Sequence, residues 1–456
     1  MVILNNKNLQ INTKDFYKTV FALVIPIALQ NLINVGVTSA DVIMLGRVNE
    51  IVLSAASLGG QVQFVMTLFF FGLTSGAAVL TAQYWGKKDT LSIEKVLGIS
   101  LKFSLIVSLI FTLVTFLFPS EIMRLFSSEE AVIAEGTKYL RIVCFSYIFS
   151  SITLIYLNIM RTLEKVIIST VVFSISLLIN VIFNYIFIFG AFSIPSLGIA
   201  GAALSTLIAR IIETIITLIY AHKYNKVVKI KLKYIIKSDS LLLKDFIRFS
   251  IPVTLNELLW GLGTSVNAAI LGQLGSQVAA ASSIVQVTRQ LATVVAFGIS
   301  AAAAIIIGKS IGENNINKAK FYSKKCIQLS IILGCIGGLI VLIVRPISMK
   351  YLNISDDARS YLSVMMFVMS YFVICQSFNT TMIVGIFRAG GDTRYGLFVD
   401  ATTMWCFSIL LGFIAAFVLK LSIPIVYIIL LSDEVFKIPL CIIRYKSCAW
   451  LNNVTR

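Results

Sequence analysis

The stretch TSADVIMLGRV, Thr38 to Val48, places a single carboxylate, Asp41, near the end of a run that is otherwise apolar from Val20 onward. An acid at the centre of a lipid bilayer costs on the order of 2.5–3.5 kcal/mol on insertion scales, so one that is kept there has a partner or a task. Further along, SISLLINVIFNYIFIFG carries Asn180 and Asn184 one helical turn apart, which puts both amides on one face. Thr206 follows in GAALSTLIAR. Taken together, Asp41, Asn180, Asn184 and Thr206 form an oxygen-rich set that can hold a proton on the carboxylate or coordinate a hard cation through oxygen ligands, with Asp41 as the charged one. Two plainer readings stand beside this one. Asp41 caps the outer helix end or pairs with Arg47, and the two asparagines clamp neighbouring helices by hydrogen bonds.

A second set lies in the other half of the chain. Glu257 in TLNELLWGLG falls about five residues past Pro252, Asp400 in RYGLFVDATTMW about one turn into its helix, and Arg289 in QVTRQ within an apolar segment. Glu257 either carries a cation or proton or pairs at the interface with Arg248 or Lys244. Asp400 is either functional or an interfacial anchor. Arg289 needs a carboxylate or a wet cavity, with Glu257 and Asp400 as the candidate partners. Glu213, Asp433, Glu434 and Lys437 are expected near cytoplasmic helix ends in structural roles. Pro26 and Pro252 free a backbone carbonyl two turns into their helices and permit a bend, static or coupled to Asp41 protonation.

Other chemistries find no support. The seven cysteines include no CxxC pair, and His222 is the only histidine, so neither a disulfide framework nor a zinc site is expected. IIIGKSIG ends like a phosphate loop, but Ala303 stands where the first glycine is required. No ATPase, enzyme activity or cofactor beyond a coupling ion is expected.

These residues need helices that cross a bilayer. Apolar residues make up 58% of the 456, charged residues 13%, and mean hydropathy is +0.93, the profile of a polytopic membrane protein. About 20 residues of helix cross the apolar core, and about twelve such runs occur. They lie at 18–44, 54–81, 96–118, 139–160, 167–190, 198–221, 246–270, 279–307, 324–344, 360–386, 396–419 and 423–443. Asp41, fifteen residues after Pro26, is about 22 Å farther along the first helix, in its outer half. The net charge of +17 sorts by loop, since lysine and arginine concentrate in the tails and even-numbered loops. The positive-inside rule then puts both termini in the cytoplasm. The polar opening residues, MVILNNKNLQINTKDFYKTV, lack a cleavage pattern, so no removable signal peptide is expected. The densest basic block, Lys223 to Arg248, reads as a linker facing anionic lipid head groups rather than nucleic acid.

Sliding the sequence against itself until Pro26 meets Pro252 brings IPIALQNLINVGVTSADVIMLGR over IPVTLNELLWGLGTSVNAAILGQ without a gap. Asp41 then meets Asn267, and Glu257 meets Asn31. Later, YLNIMRTLEK answers IVGIFRAGGD. The chain therefore divides into a six-helix lobe at 1–222, a basic linker at 223–245 and a second six-helix lobe at 246–456. Six is an even number, so the repeats run parallel, a known transporter layout with the substrate site between the lobes.

In this order and in a duplicated chain, four segments resemble the multidrug and toxic compound extrusion (MATE) transporters over essentially the whole length. They are IPIALQNLINVGVTSADVIMLGRV, NVIFNYIFIFGAFSIPSLGIAGAALSTLIAR, NELLWGLGTSVNAAILGQLG and GIFRAGGDTRYGLFVDATTMW. The resemblance implies two six-helix lobes around a V-shaped cavity with alternating access. It also implies export of cationic or amphiphilic organic compounds in exchange for inward Na⁺ or H⁺, by a monomer of a bacterial cytoplasmic membrane that binds small molecules and lipid and no nucleic acid. In such relatives the acid matching Asp41 carries the cation or proton, the positions matching Asn180, Asn184 and Thr206 join it, and the proline matching Pro26 is associated with bending. Relatives with a fully acidic site have a second aspartate where this chain has Asn184. Some also carry acids in the seventh and tenth helices; Glu257 sits earlier in the seventh span, and the tenth has none. The other readings are a flippase of lipid-linked saccharides or an exporter of a specific metabolite in the same superfamily, and, in a different class, a channel or membrane enzyme.

Overall fold

The computed structural model describes residues 13–351 and 355–455. The opening residues 1–12, on which part of the expected absence of a signal peptide rests, lie outside the described residues. The first half comprises α1 (Thr13–Gly46), α2 (Glu50–Gly86), α3 (Thr90–Leu117), α4 (Pro119–Phe126), α5 (Glu130–Val143), α6 (Ser146–Thr162), α7 (Ile167–Phe189) and α8 (Gly198–Ile219). A short α9 (Leu232–Ile236) leads into the second half: α10 (Ser240–Gln273), α11 (Ser276–Gly312), α12 (Ile316–Tyr351), α13 (Asp356–Thr380), α14 (Thr393–Ala401), α15 (Leu410–Phe413), α16 (Ile423–Leu430) and α17 (Asp433–Lys446). π-helical turns at Thr381–Phe387, Thr402–Ile409 and Ile414–Val418 extend α13 and join α14 and α15 into one rod. No strand occurs among the described residues.

Among the described residues nine helices are long and apolar enough to cross a membrane, and a tenth crossing is made by α5 and α6 across a 53° bend. The remaining two are α10 and the α16–α17 pair, which carry the charged residues considered below. The protein is thus an all-helical, twelve-span, multi-pass membrane protein. Its elements depart from the expected spans in several places, the third helix starting at Thr90 rather than 96 and the ninth at Ile316 rather than 324. The fourth helix starts at Glu130 rather than 139, the twelfth is broken at Leu431–Ser432, and the seventh begins at Ser240 rather than 246. The last shift has a local cause. Asp239 caps α10 by accepting from the amides of Leu241 and Leu242, and Lys95 of α3 pairs with it at 2.9 Å. That ammonium, with the cap bonds, holds the Asp239 carboxyl below the usual carboxylate range. Lys231 of the linker meets Glu94 at 2.6 Å, so the basic segment is strapped to the start of α3.

The two halves meet along α1, α2, α10 and α11. One apolar cluster runs from Phe16 and Val24 of α1 through Ile299 and Ile306 of α11 to Phe387. Small residues let the backbones approach at the end of the molecule that carries the linker. A Cβ added at Gly76 of α2 would lie 2.0 Å from Ser250 Oγ, and one at Gly312 of α11 would lie 1.9 Å from the Gln83 carbonyl oxygen. Polar contacts seal this end: Lys309 pairs with Glu164 at 2.7 Å, and Gln83 donates to the carbonyls of Ala389 (2.8 Å) and Asn452 (3.0 Å). IIIGKSIG, the phosphate-loop look-alike, lies wholly within helical α11. α1 and α10 continue as helices through Pro26 and Pro252.

Candidate functional site

Asp41 lies one turn before the end of α1, where α7 packs beside it. Thr170 Oγ1 of α7 donates to the Pro26 carbonyl at 3.1 Å, which ties the same two helices together lower down. Asn184 Nδ2 donates to Asp41 Oδ1 at 2.5 Å and to Asn180 Oδ1 at 3.2 Å. The structure therefore brings together three of the four expected residues. Both asparagines are buried, and Asn184 Oδ1 has no partner. A buried acceptor left open beside a carboxylate is what a bound cation or a donated proton would satisfy. Thr206 of α8 is half-buried and makes no hydrogen bond to this group; it stands one turn before Arg210. Arg47 forms no ion pair among the described residues, so the alternative pairing of Asp41 is not made.

Arg210 belongs to the site instead. Its Nη1 binds Glu213 Oε2 at 2.6 Å, and it lies with Tyr139 in the electrostatic field of Asp41. Glu213, expected near a helix end, is buried mid-helix with Oε1 unpartnered. The local charge is Asp41 and Glu213 against one arginine, which leaves one negative charge to be met.

Between the halves is a cavity of about 570 Å³, the size of ordinary small-molecule sites. Phe64, Phe71, Trp260 and Phe297 line it. Glu257 and Asp400 reach it, but with partners other than those expected. Arg388 pairs with Glu257 at 2.8 Å and donates across the halves to Ser75 Oγ at 3.3 Å; Arg248 and Lys244 are not involved. Asp400 accepts from Asn256 at 2.9 Å and meets Lys437 at 3.0 Å. Arg289 pairs with neither Glu257 nor Asp400. Its Nε donates to Gln286 at 2.8 Å, and Asp433, Glu434 and Tyr427 are the groups in whose field it lies.

The residues assigned structural roles at the twelfth helix also need correction. The break at Leu431 turns the start of α17 into the protein, so Lys437, 3% exposed, meets Asp433 at 2.8 Å and Glu434 at 3.2 Å as well as Asp400. Asn379 Nδ2 donates to Glu434 at 2.7 Å. Arg161 was missed entirely, as was Arg388, because each sits near a helix end and reads as a basic flank. The repeat is the signal that finds both, since NIMR and GIFR align. With Arg161, Arg388 and Lys437 beside Arg289, the cavity walls carry four bases and three acids, Glu257, Asp400 and Glu434.

A family model described as MatE matches residues 26–186 and 252–414. "Probable multidrug resistance protein YoeA" of Bacillus subtilis is 23% identical over 416 residues, which are 89% of this chain and 88% of that one. Among solved structures, "Crystal structure of MATE in the bent conformation" superposes with a TM-score of 0.86 at 17% identity over 96% of both chains. "Outward-facing conformation of a multidrug resistance MATE family transporter of the MOP superfamily" does so at 0.84 and 18% identity, over 95% of this chain and 96% of that one.

Proposed function

The chain belongs to the MATE family of transporters, and from that membership we propose that it is a secondary active multidrug exporter. It exchanges amphiphilic organic compounds, organic cations among them, for inward Na⁺ or H⁺ by alternating access of its two halves. The relatives named for multidrug resistance support the substrate side of this reading. The observation that carries the coupling side is the Asp41–Asn184–Asn180 group, with its open buried acceptor and net negative charge, set in one half and separate from the cavity between the halves.

The site suits either ion. A proton would neutralise Asp41 and release its hold on Asn184. Na⁺ would be met by the Asp41 carboxylate and by asparagine carbonyl oxygens, a hard-ligand set. One charge moving inward yields roughly 2.3 kcal/mol per 100 mV of membrane potential, enough to drive export against a gradient of tens-fold. The protein acts, on this reading, as a monomer in a bacterial cell membrane with both termini in the cytoplasm, so the end sealed by Gly76 and Gly312 faces inward. A flippase for lipid-linked saccharides would need a cationic patch for a diphosphate. Arg388 and Lys437 are engaged by acids and Arg289 lies in the field of Asp433 and Glu434, which leaves Arg161 as a single guanidinium rather than a patch and favours the exporter.

Cells loaded with ethidium test the proposal. Efflux should slow when the proton gradient is collapsed with a protonophore or when Na⁺ is removed, and which treatment acts identifies the ion. Efflux indifferent to both would refute antiport.

A further inference from the structure

The charges around the cavity have a direction, and the repeat shows where it arises. In the second half, Arg388 is answered by Glu257 at 2.8 Å. In the first half the matching arginine is Arg161, and the position matching Glu257 is Asn31, which also lines the cavity. The second half thus holds an ion pair of which the first half has the arginine without the acid. Arg161 Nη2 donates to Gln30 Oε1 at 2.8 Å, and Nε is buried without an acceptor. No carboxylate among the described residues pairs with this guanidinium. Glu164, one turn farther on, is taken by Lys309. A guanidinium stays charged under all ordinary conditions, and in a site poor in water it lacks its complement.

The facing wall has the opposite excess. Asp400 and Glu434 line it around Lys437, Asp433 outside the lining pairs with the same ammonium, and Arg289 lies in the field of Asp433 and Glu434, so three acids stand against two bases. Gln376 Oε1 and Asn379 Oδ1 are buried there without partners. Both open acceptors are suited to an N–H donor.

We propose that Arg161 is the docking point for an anionic group on the substrate, and that the cavity selects zwitterionic amphiphiles. The carboxylate or similar acid would seat on Arg161 in the first half, the protonated amine would face the acid-rich wall of the second, and the apolar body would lie along Phe64, Phe71, Trp260 and Phe297. The guanidinium fork suits a carboxylate better than an ammonium would. This inference rests on reading the cavity as the substrate site, and it ranks organic cations that also carry an acid above those, such as ethidium, that do not.

Binding to purified, detergent-solubilised protein tests it, read by tryptophan fluorescence with three probes on one aromatic scaffold. The probes are an amino acid whose amine and carboxylate stand at opposite ends of the aromatic body, its methyl ester and its N-acetyl derivative, which offer both charges, the amine alone and the carboxylate alone. The amino acid should bind wild type at least about tenfold more tightly than either derivative, the scale of one charge-assisted hydrogen bond. Arg161→Gln should erase its advantage over the ester while leaving ester affinity unchanged, which also reports intact folding. Asn31→Glu, which restores the acid found in the other repeat, should erase the same advantage by occupying Arg161 internally. Equal or tighter ester binding by wild type overturns the proposal, as does a preference that survives both substitutions. If Arg161→Gln binds no probe, Asn31→Glu decides. No gradient is used, so failed ion-coupled efflux with this binding pattern intact would count against antiport alone, and the converse against this inference alone.

Discussion

Among the described residues Lys437 is the most heavily engaged charge, with three carboxylates within 3.2 Å and a side chain 3% exposed. Removing it leaves those acids buried without a counter-charge, so Lys437→Met should destabilise the protein by about 3 kcal/mol. The thermal unfolding midpoint of the solubilised protein should fall accordingly. Adding Asp400→Asn should recover part of the loss, because it removes one of the stranded acids. In the first half, Asn184→Ala deletes the donor to Asp41 and the bridge to Asn180. Its transport should drop several-fold at limiting Na⁺ or H⁺ and approach wild type at saturating ion, as expected of a residue that shapes an ion site. Asp41, Asn180 and Asn184 were legible in the sequence because a lone acid and two amides at helical spacing stand out in apolar runs. The Lys437 group was not, since its members come from α14 and α17 and each looks like a flanking charge when read along the chain.

At the level of elements, the tightest contacts are those of α2 with α10 and α11. A side chain at Gly76 would collide with Ser250, and one at Gly312 with the Gln83 carbonyl. Gly76→Leu or Gly312→Leu should wedge this end open, abolishing transport while ligand binding persists. Spin labels at Lys88 and Lys318, on opposite halves near the seal, should report a longer distance in either variant; an unchanged distance would contradict the reading of this seam as what holds that end shut. The linker strap carries a pH prediction. Since the folded Asp239 carboxyl titrates below its ordinary range, its contribution is fully present above about pH 4 and is lost as pH falls through the depressed value. Hydrogen exchange around 238–242 should accelerate only in that acid window. The helices themselves were readable from run length and the repeat. The bend between Val143 and Ser146 and the break at Leu431 were not, because hydropathy continues across both and packing alone decides them.

On the scale of the whole molecule, duplication has supplied two halves of one architecture whose chemistry has diverged. Asp41 faces Asn267 across the repeat, and Glu257 faces Asn31, so the first half keeps the candidate ion site and an unanswered arginine while the second keeps paired charges. A two-lobed molecule sealed at one end, with a candidate ion group in one lobe and a cavity between lobes, has the parts that the proposed exchange requires: an ion that would act on one half and a substrate that both would share. The most direct test uses purified protein in liposomes with imposed gradients. An inward Na⁺ or H⁺ gradient should drive wild type to move a fluorescent amphiphile against its own gradient, and Asp41→Asn should lose that driven movement by at least about tenfold while still binding the dye. Movement by wild type that ignores both gradients, or full driven transport by Asp41→Asn, would contradict the account.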